Sequence, residues 1–309
     1  MPTSDQITLL SICRIKGLSW YLIAREAMRS GGLDRLLDGR IREHGRTAKT
    51  LEVLREGLTR LKELRAEVEK MVDHLDRDGI GLTTVLDKDY PANLRAIFNK
   101  PPFLFYWGEL KDDDAVSVAV VGTREPSERG GARAAKMARL LSKAGVTVLS
   151  GLAKGIDTAA HRAALDAEGR TIAVLGSGLN RIYPKENAPL AAQIAENGAV
   201  VSQFWPDAPP RQANFPRRNI TMSGLGQGTV VIEASATSGA KMQARLAIEH
   251  GKQVFLLDSL VKEHGWARQY VEERGAHRIA SVDDILNLLR SPEEIKAQVK
   301  VDRQLRLAL

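Results

Sequence analysis

From residue 116 onward the chain repeats one order of signals: an apolar, β-branched run, a glycine-containing turn, then a helical stretch. Val116–Val121 ends in Gly122, Val146–Leu149 in Ser150-Gly151, and Thr171–Leu175 in Gly176-Ser177-Gly178. The spacing predicts helices over 130–143, 156–168 and 186–197 after these turns. Further strands are predicted at Ala199–Ser202, Thr229–Ile232 and Gln253–Leu257, with helices over 239–250, 266–274 and 282–290. Strand, turn, helix in repetition means parallel strands joined by right-handed crossovers. Runs such as Val118-Ala119-Val120-Val121 are apolar on both faces, as a sheet covered by helices on both sides requires. The expected fold class is α/β: a Rossmann-like doubly wound, mostly parallel sheet with a small helical N-terminal domain.

The rest of the chain differs in character. Residues 1–45 read as short helices broken at Gly17, Gly31-Gly32 and Gly39, and residues 47–75 as one long helix. Its apolar positions Leu51, Leu54, Leu58, Leu61, Val68, Val72 and Leu75 follow a 3-4 spacing that Arg65 interrupts. A helix packing one face on its own domain is preferred to a dimerising coil. Residues 79–115 form a punctuated connector (Gly79, Gly81, Pro91, Pro101-Pro102, Gly108) around an aromatic run, Phe103–Trp107, that suits a buried strand. At roughly 150 residues per domain, 309 residues allow about two domains. The expected division is a helical domain over 1–78, a Rossmann-like domain over 79–290, and a tail or helix over 291–309.

Composition narrows the chemistry. A net charge of +7 is a modest basic surplus, compatible with nucleic acid or phosphate ligands. The single cysteine, Cys13, excludes an internal disulfide and a cysteine-based zinc knuckle. The first ten residues lack a basic stretch followed by an apolar core, and no apolar run approaches the ~18 residues that span a bilayer. A cytoplasmic protein without a membrane partner is expected.

In an open parallel sheet, ligands bind beyond the carboxyl ends of the strands. Three glycine-containing turns converge there: Gly122-Thr123-Arg124, Gly151-Leu152-Ala153-Lys154-Gly155, and Gly176-Ser177-Gly178. Glycines admit a ligand close to the backbone, helix N-termini offer N–H groups to an anion, and Arg124 and Lys154 add charge. Three such turns with two cations point to a phosphate site; any one alone reads as a tight turn. The segment Phe204–Asn219 is unusually long for a connection and Pro-rich. It joins Phe215, which can stack on a base, to Arg217 and Arg218, which can neutralise phosphates, and to Asn219. Pro216 also suits the first turn of a helix. Ser238-Gly239 opens a helix and can join the cradle. Asp157 and His161, at i and i+4, permit a hydrogen-bonded pair or half a metal site; a structural role for Asp157 in tying down the preceding turn is preferred. Glu233 ends a strand and is either catalytic or a ligand contact. The chain has no P-loop, no H-E-x-x-H and no G-x-S-x-G, and Gly224-x-Gly226-x-Gly228 precedes a strand rather than following one. No catalytic residue, cofactor or metal is expected.

These residues carry a resemblance. Tyr90-Pro91-x-x-Leu94, Pro101-Pro102-x-Leu104, Val121-Gly122-Thr123-Arg124 and Ser150-Gly151-Leu152-Ala153-x-Gly155-Ile156-Asp157 are part of it. Thr171–Leu175 with Gly176-x-Gly178-Leu179, Tyr183-Pro184, Phe215-Pro216-x-Arg218-Asn219 and Ser238-Gly239 complete it. Over about residues 80–257 the chain resembles the DprA/Smf family, DNA-processing proteins of bacterial transformation. The resemblance implies single-stranded DNA binding without catalysis, a homodimer, and hand-over of the strand to a RecA-type recombinase. It implies Gly122 and Arg124 as DNA contacts, Phe215 as a base platform, and Arg218 and Asn219 as pocket lining. Lys154 and Arg217 are added by charge and location. The chain departs from the family at Ile220, at Ala240–Ala244 and after Leu257, and a C-terminal winged-helix domain is expected to be missing. Two other readings stand beside it. One is a nucleotide-binding sensor. The other is a LOG-like nucleotide phosphoribohydrolase, whose Pro-Gly-Gly-x-Gly-Thr-x-x-Glu signature is met only at Gly226-Gln227-Gly228-Thr229, with Ile232 in place of the Glu.

Overall fold

The apolar run Ser117–Val121 is buried along its whole length and becomes the central strand of a parallel sheet. The computed structural model describes residues 2–75, 77–291, 293–295 and 297, so the tail predicted over 291–309 lies almost entirely outside the described residues. Two units are distinguishable. One comprises Met1–Tyr90 with Phe98–Phe105; the other comprises Pro91–Ile97 and the chain from Tyr106 onward.

In the first unit, helices α1 (Ser4–Cys13), α2 (Trp20–Ala27), α3 (Gly32–Leu37), α4 (Ala48–Leu58) and α5 (Leu61–Leu75) are followed by strand β1 (Ile80–Thr84). Thr3 and Gln6 cap α1 reciprocally, each side chain bonded to the other's backbone N–H. The helix breaks predicted at Gly17, Gly31 and Gly39 are present, each glycine with positive φ. The single helix predicted over 47–75 is two helices. Gly57 lets Ile15 pack where a Cβ would lie 2.3 Å from its Cγ2, and the Thr59 hydroxyl donates to Glu56 O at 2.6 Å, competing with the helical ladder. One face of α5, Leu64, Val68, Val72 and Leu75, is buried. Arg65 ties α5 to α1, donating to Thr8 Oγ1 at 2.9 Å and Ser4 Oγ at 3.1 Å. The connector joins this unit: Gln6 Nε2 donates to Asp87 Oδ2 at 2.6 Å and Tyr90 Oη to Pro101 O at 2.6 Å. Residue 78 lies within this first unit, which runs on to Tyr90.

The second unit contains α6 (Ala92–Ala96), the end of β2 (Phe103–Gly108), β3 (Ser117–Val121), α7 (Glu128–Lys143), β4 (Thr147–Ser150), α8 (Ile156–Asp166), β5 (Thr171–Val174), α9 (Ala188–Asn197) and β6 (Ala199–Ser202). It continues through α10 (Asn214–Leu225), β7 (Gly228–Val231), α11 (Gly239–Glu249), β8 (Gln253–Leu257), α12 (Asp258–Glu263), α13 (Gly265–Arg274), β9 (His277–Ile279) and α14 (Asp283–Leu286). Strands run in the order β6-β5-β4-β3-β7-β8-β9, every neighbouring pair parallel. The chain winds outward from β3 to β6, then returns through α10 to start again at β7 on the other side of β3. The order reverses at β3/β7, the kind of switch point at whose carboxyl ends open α/β sheets bind their ligands. Ala134, Ala138, Ala160, Ala163 and Ala164 share one buried cluster, where small side chains let α7 and α8 lie close together over the sheet. The α/β, doubly wound, mostly parallel fold read from the sequence is the one observed.

Candidate nucleic-acid interface

The predicted strand ends converge. Beyond β3, Thr123 N–H donates to Glu233 O at 2.8 Å, and Thr123 O accepts from Ile156 N–H at 3.2 Å, so turns from β3, β4 and β7 are bonded together. α10, expected only as a helix start inside a long loop, begins at Asn214 with Pro216 in its first turn. It sends Phe215 and Arg218 toward the glycine turns.

The backbone N–H groups expected to cradle phosphate are in part already taken. Asp157 Oδ2 accepts from Gly151 N–H at 3.1 Å and Ala153 N–H at 3.3 Å, the structural role preferred from its spacing. Glu233 occupies the N-terminus of α7: Oε2 accepts from Ser127 Oγ at 2.9 Å, and Oε1 from Ser127 N–H at 3.2 Å. A carboxylate there complements the helix dipole as an external anion would. The Gly151 turn and the α7 terminus are thus filled from within, and anion attraction at this rim rests on cationic side chains.

Those side chains separate into two kinds. Arg124 is exposed, with its guanidinium carbon 5.5 Å from the centroid of the Phe215 ring. Arg218 lies 5.9 Å from the same ring but is only 7% exposed. It donates to Gly151 O at 2.5 Å, Val174 O at 2.9 Å and Asn219 Oδ1 at 2.9 Å, so it closes the ends of β4 and β5 from beneath. Gly151 is required for this approach: a Cβ there would lie 1.9 Å from Arg218 Nη1. The Phe215 ring rests on Gly176, where a Cβ would lie 2.8 Å from Cδ1. Asn219, also buried, donates to Gly239 O at 3.4 Å, which links the pocket to the α11 terminus; Ser238 Oγ caps that terminus by accepting from Lys241 N–H at 3.2 Å. Gly239 is exposed. Lys154 is exposed and paired with Glu186, which holds its ammonium above the usual lysine range. Arg217 turns away to Phe204, 5.3 Å from that ring. Gly122, Thr123, Arg124, Gly151, Phe215, Arg218 and Asn219 are therefore brought together, Ser238-Gly239 adjoins them, Lys154 stands on the rim, and Arg217 points elsewhere.

Beneath the turn lies a buried charge system. Burial pushes the Asp157 carboxyl up, opposed by Arg218 and by the two turn N–H groups. Burial also pulls Arg218 down, opposed by Asp157. His161 does not face a metal partner: its Nδ1 lies 2.8 Å from Thr171 Oγ1, and burial lowers its pKa to about 3, so it is neutral. Among the described residues no group of three or more His, Cys, Asp or Glu is placed to hold a metal ion, and no helix is long and apolar enough to cross a membrane.

One part of the rim escapes the sequence reading. Tyr183 is 45% exposed, with its ring centroid 6.0 Å from Phe215, and the exposed Arg181 and Lys185 flank it. The segment is fixed at both ends. Arg181 N–H donates to Gly178 O at 3.0 Å, and Asn187 Nδ2 donates to Leu152 O and Thr158 Oγ1, both at 2.9 Å. The signal was the alternation Arg-x-Tyr-Pro-Lys, cation, aromatic, cation, on a loop directly after a glycine turn.

Comparison with known proteins identifies the family. The family model described as DNA recombination-mediator protein A matches residues 81–290. Protein Smf of Escherichia coli (strain K12) is 36% identical over 292 residues, 94% of this chain and 76% of that protein. The crystal structure of DNA processing protein A (DprA) from Streptococcus pneumoniae is 30% identical, with a TM-score of 0.77 over 94% of this chain and all of that one. DNA processing protein A from Helicobacter pylori, whose structure was described for its single-stranded DNA binding mode, is 28% identical, with a TM-score of 0.59 over 67% of this chain and 94% of that one. The chain belongs to the DprA/Smf family of DNA recombination-mediator proteins.

Proposed function

We propose that this chain binds single-stranded DNA along the carboxyl rim of its sheet, gripping phosphates with Arg124 and stacking a base on Phe215, and breaks no bond in it. The observation that carries the reading is the exposed Arg124 guanidinium beside the partly buried Phe215 ring, beyond the carboxyl ends of the parallel strands. A cation next to an aromatic face is what a sugar-phosphate chain with unpaired bases requires, since every base has a π-face and every linkage a charge. The binding mode described for the Helicobacter pylori relative supports the same ligand. The carboxylates at these turns, Asp157 and Glu233, are engaged with backbone N–H groups, which supports binding rather than hydrolysis. On this reading the protein works as a cytoplasmic homodimer that protects the strand and loads a RecA-type recombinase.

Fluorescence anisotropy with a labelled oligo-dT at low salt tests the ligand; saturable binding, with the strand recovered intact, is expected. No binding, or release of free base from a nucleoside monophosphate, would overturn it. Sedimentation tests the dimer. The recombinase step is tested by whether the protein shortens the lag before RecA assembles on strands already coated by a single-strand-binding protein.

A further inference from the structure

The basic surplus of the chain is unevenly placed. Residues 39–49, between α3 and the first turn of α4, carry Arg40, Arg42, Arg46 and Lys49 against one carboxylate, Glu43. Glu43 is engaged by Arg25 at 3.4 Å and Arg29 at 3.0 Å, and Arg40 is paired with Asp38. Arg46 Nη1 donates to main-chain oxygens, Arg42 O at 2.9 Å and Glu43 O at 3.4 Å, which orients the side chain without cancelling its charge. Arg42, Arg46 and Lys49 are exposed, and among the described residues no carboxylate is paired with them.

The loop is held from below. Glu26 is completely buried, and its carboxylate accepts from Arg42 N–H and Glu43 N–H at 2.8 Å each and from Arg35 Nε at 2.7 Å. A buried carboxylate is costly unless bonded in this way. Here it fixes the stretch of backbone from which the cations project, and Arg55 Nε adds a bond to Gly39 O at 3.2 Å. A loop already ordered loses little entropy when it binds.

The chemistry of the occupant follows from what the loop lacks. A protein partner needs an apolar centre to its interface. Ile41, the one apolar side chain larger than alanine in 39–49, is 5% exposed. Separate cations without an apolar anchor suit a flexible polyanion whose charges recur along a chain. We infer that this loop is a second phosphate-binding site, on the helical unit, and that it takes the sugar-phosphate backbone of the same strand that the sheet rim binds. The inference rests on the reading of the rim as a single-strand site. Two weak sites on one polymer raise its affinity without any new contact at either, by up to about 10²–10⁴.

The test uses the whole chain, wild type against Arg42→Glu/Arg46→Glu, with labelled oligo-dT of roughly 6 and roughly 40 nucleotides. On this inference the short strand occupies one site and the long strand engages both. The double variant is expected to keep the wild-type melting temperature and short-strand affinity and to bind the long strand about tenfold more weakly or worse. Its salt slope on the long strand should fall by about 1.4, since each phosphate contact on a single strand contributes about 0.7. Lys49→Glu should act in the same direction. Unchanged long-strand binding, or equal loss on both strands, overturns the loop site while leaving the rim reading in place. Polyglutamate competing as well as the long strand, in a variant-dependent way, overturns its assignment to nucleic acid. A wild-type chain that binds neither strand overturns the rim reading and this inference with it.

Discussion

Replacing Arg218 with alanine removes three hydrogen bonds and one buried cation at once. The bonds run to Gly151 O, Val174 O and Asn219 Oδ1, and the cation is the charge that offsets the buried Asp157. Breaking one side of a buried charge pair costs about 3–5 kcal/mol. Asp157 is already pushed up by burial, and losing Arg218 removes the charge that opposes that push, so the loss falls at the low end of this range, ~3 kcal/mol. At about 2–4 °C per kcal/mol for a chain of this size class, the melting temperature should fall by roughly 6–12 °C. Arg218→Lys should restore only part of it, because an ammonium cannot reproduce a planar fork reaching two carbonyls and an amide. Gly151→Ala should give the same signature, since its Cβ takes the place of the guanidinium. Calorimetry reads the stability, and a salt series of oligo-dT binding reads the role. Affinity should weaken at every salt concentration with the slope unchanged, because Arg218 faces carbonyl oxygens rather than phosphates. An unchanged melting temperature together with a slope reduced by about 0.7 would refute this reasoning and make Arg218 a direct phosphate contact.

Phe215→Ala and Tyr183→Ala should each weaken oligonucleotide binding by about 1–3 kcal/mol without altering the salt slope, since rings release no counterions; anisotropy titrations at two salt concentrations check this. His161, buried and lowered to about 3, and His250, half-buried and lowered to about 4, are held in their neutral forms. For a depressed histidine, stability is complete above the unfolded value of 6.5 and is lost as pH falls toward the folded value. The melting temperature should therefore drop steadily between about pH 6 and pH 4, and less steeply in His161→Gln; a flat profile would contradict it. Glu233→Gln removes the charge at the α7 terminus and should cost about 1 kcal/mol of stability while binding DNA slightly more tightly. Loss of DNA binding in that variant, with the fold intact by circular dichroism, would give Glu233 a role at the ligand.

The sheet was legible because its strands are apolar on both faces and three of them, β3, β4 and β5, run into glycine-containing turns, a pattern that leaves little choice of fold. The helical unit was legible at its glycines but not at residues 58–61, where one threonine hydroxyl and the packing of Ile15 on Gly57 divide a helix that periodicity joins. The site was legible in position and partly in content. Arg124 and Phe215 fall where strand ends converge, and they meet there. The inward turn of Arg218 was not legible, because an arginine reads the same in sequence whether it faces a phosphate or the carbonyl ends of two strands. The filling of backbone N–H groups was legible at Asp157, which lies close in sequence to its turn, and not at Glu233, which reaches Ser127 from a distant strand. Tyr183 sits on a loop with no periodicity, where exposure is decided by bonds to Gly178, Leu152 and Thr158.

The most direct measurement is the salt dependence of oligo-dT affinity for the wild type against Arg124→Ala, an exposed substitution that should leave the melting temperature in place. Wild-type binding that weakens steeply with salt, and a variant that binds more weakly with a slope lower by about 0.7, is the expected result. Identical curves for the two proteins would contradict the cationic rim.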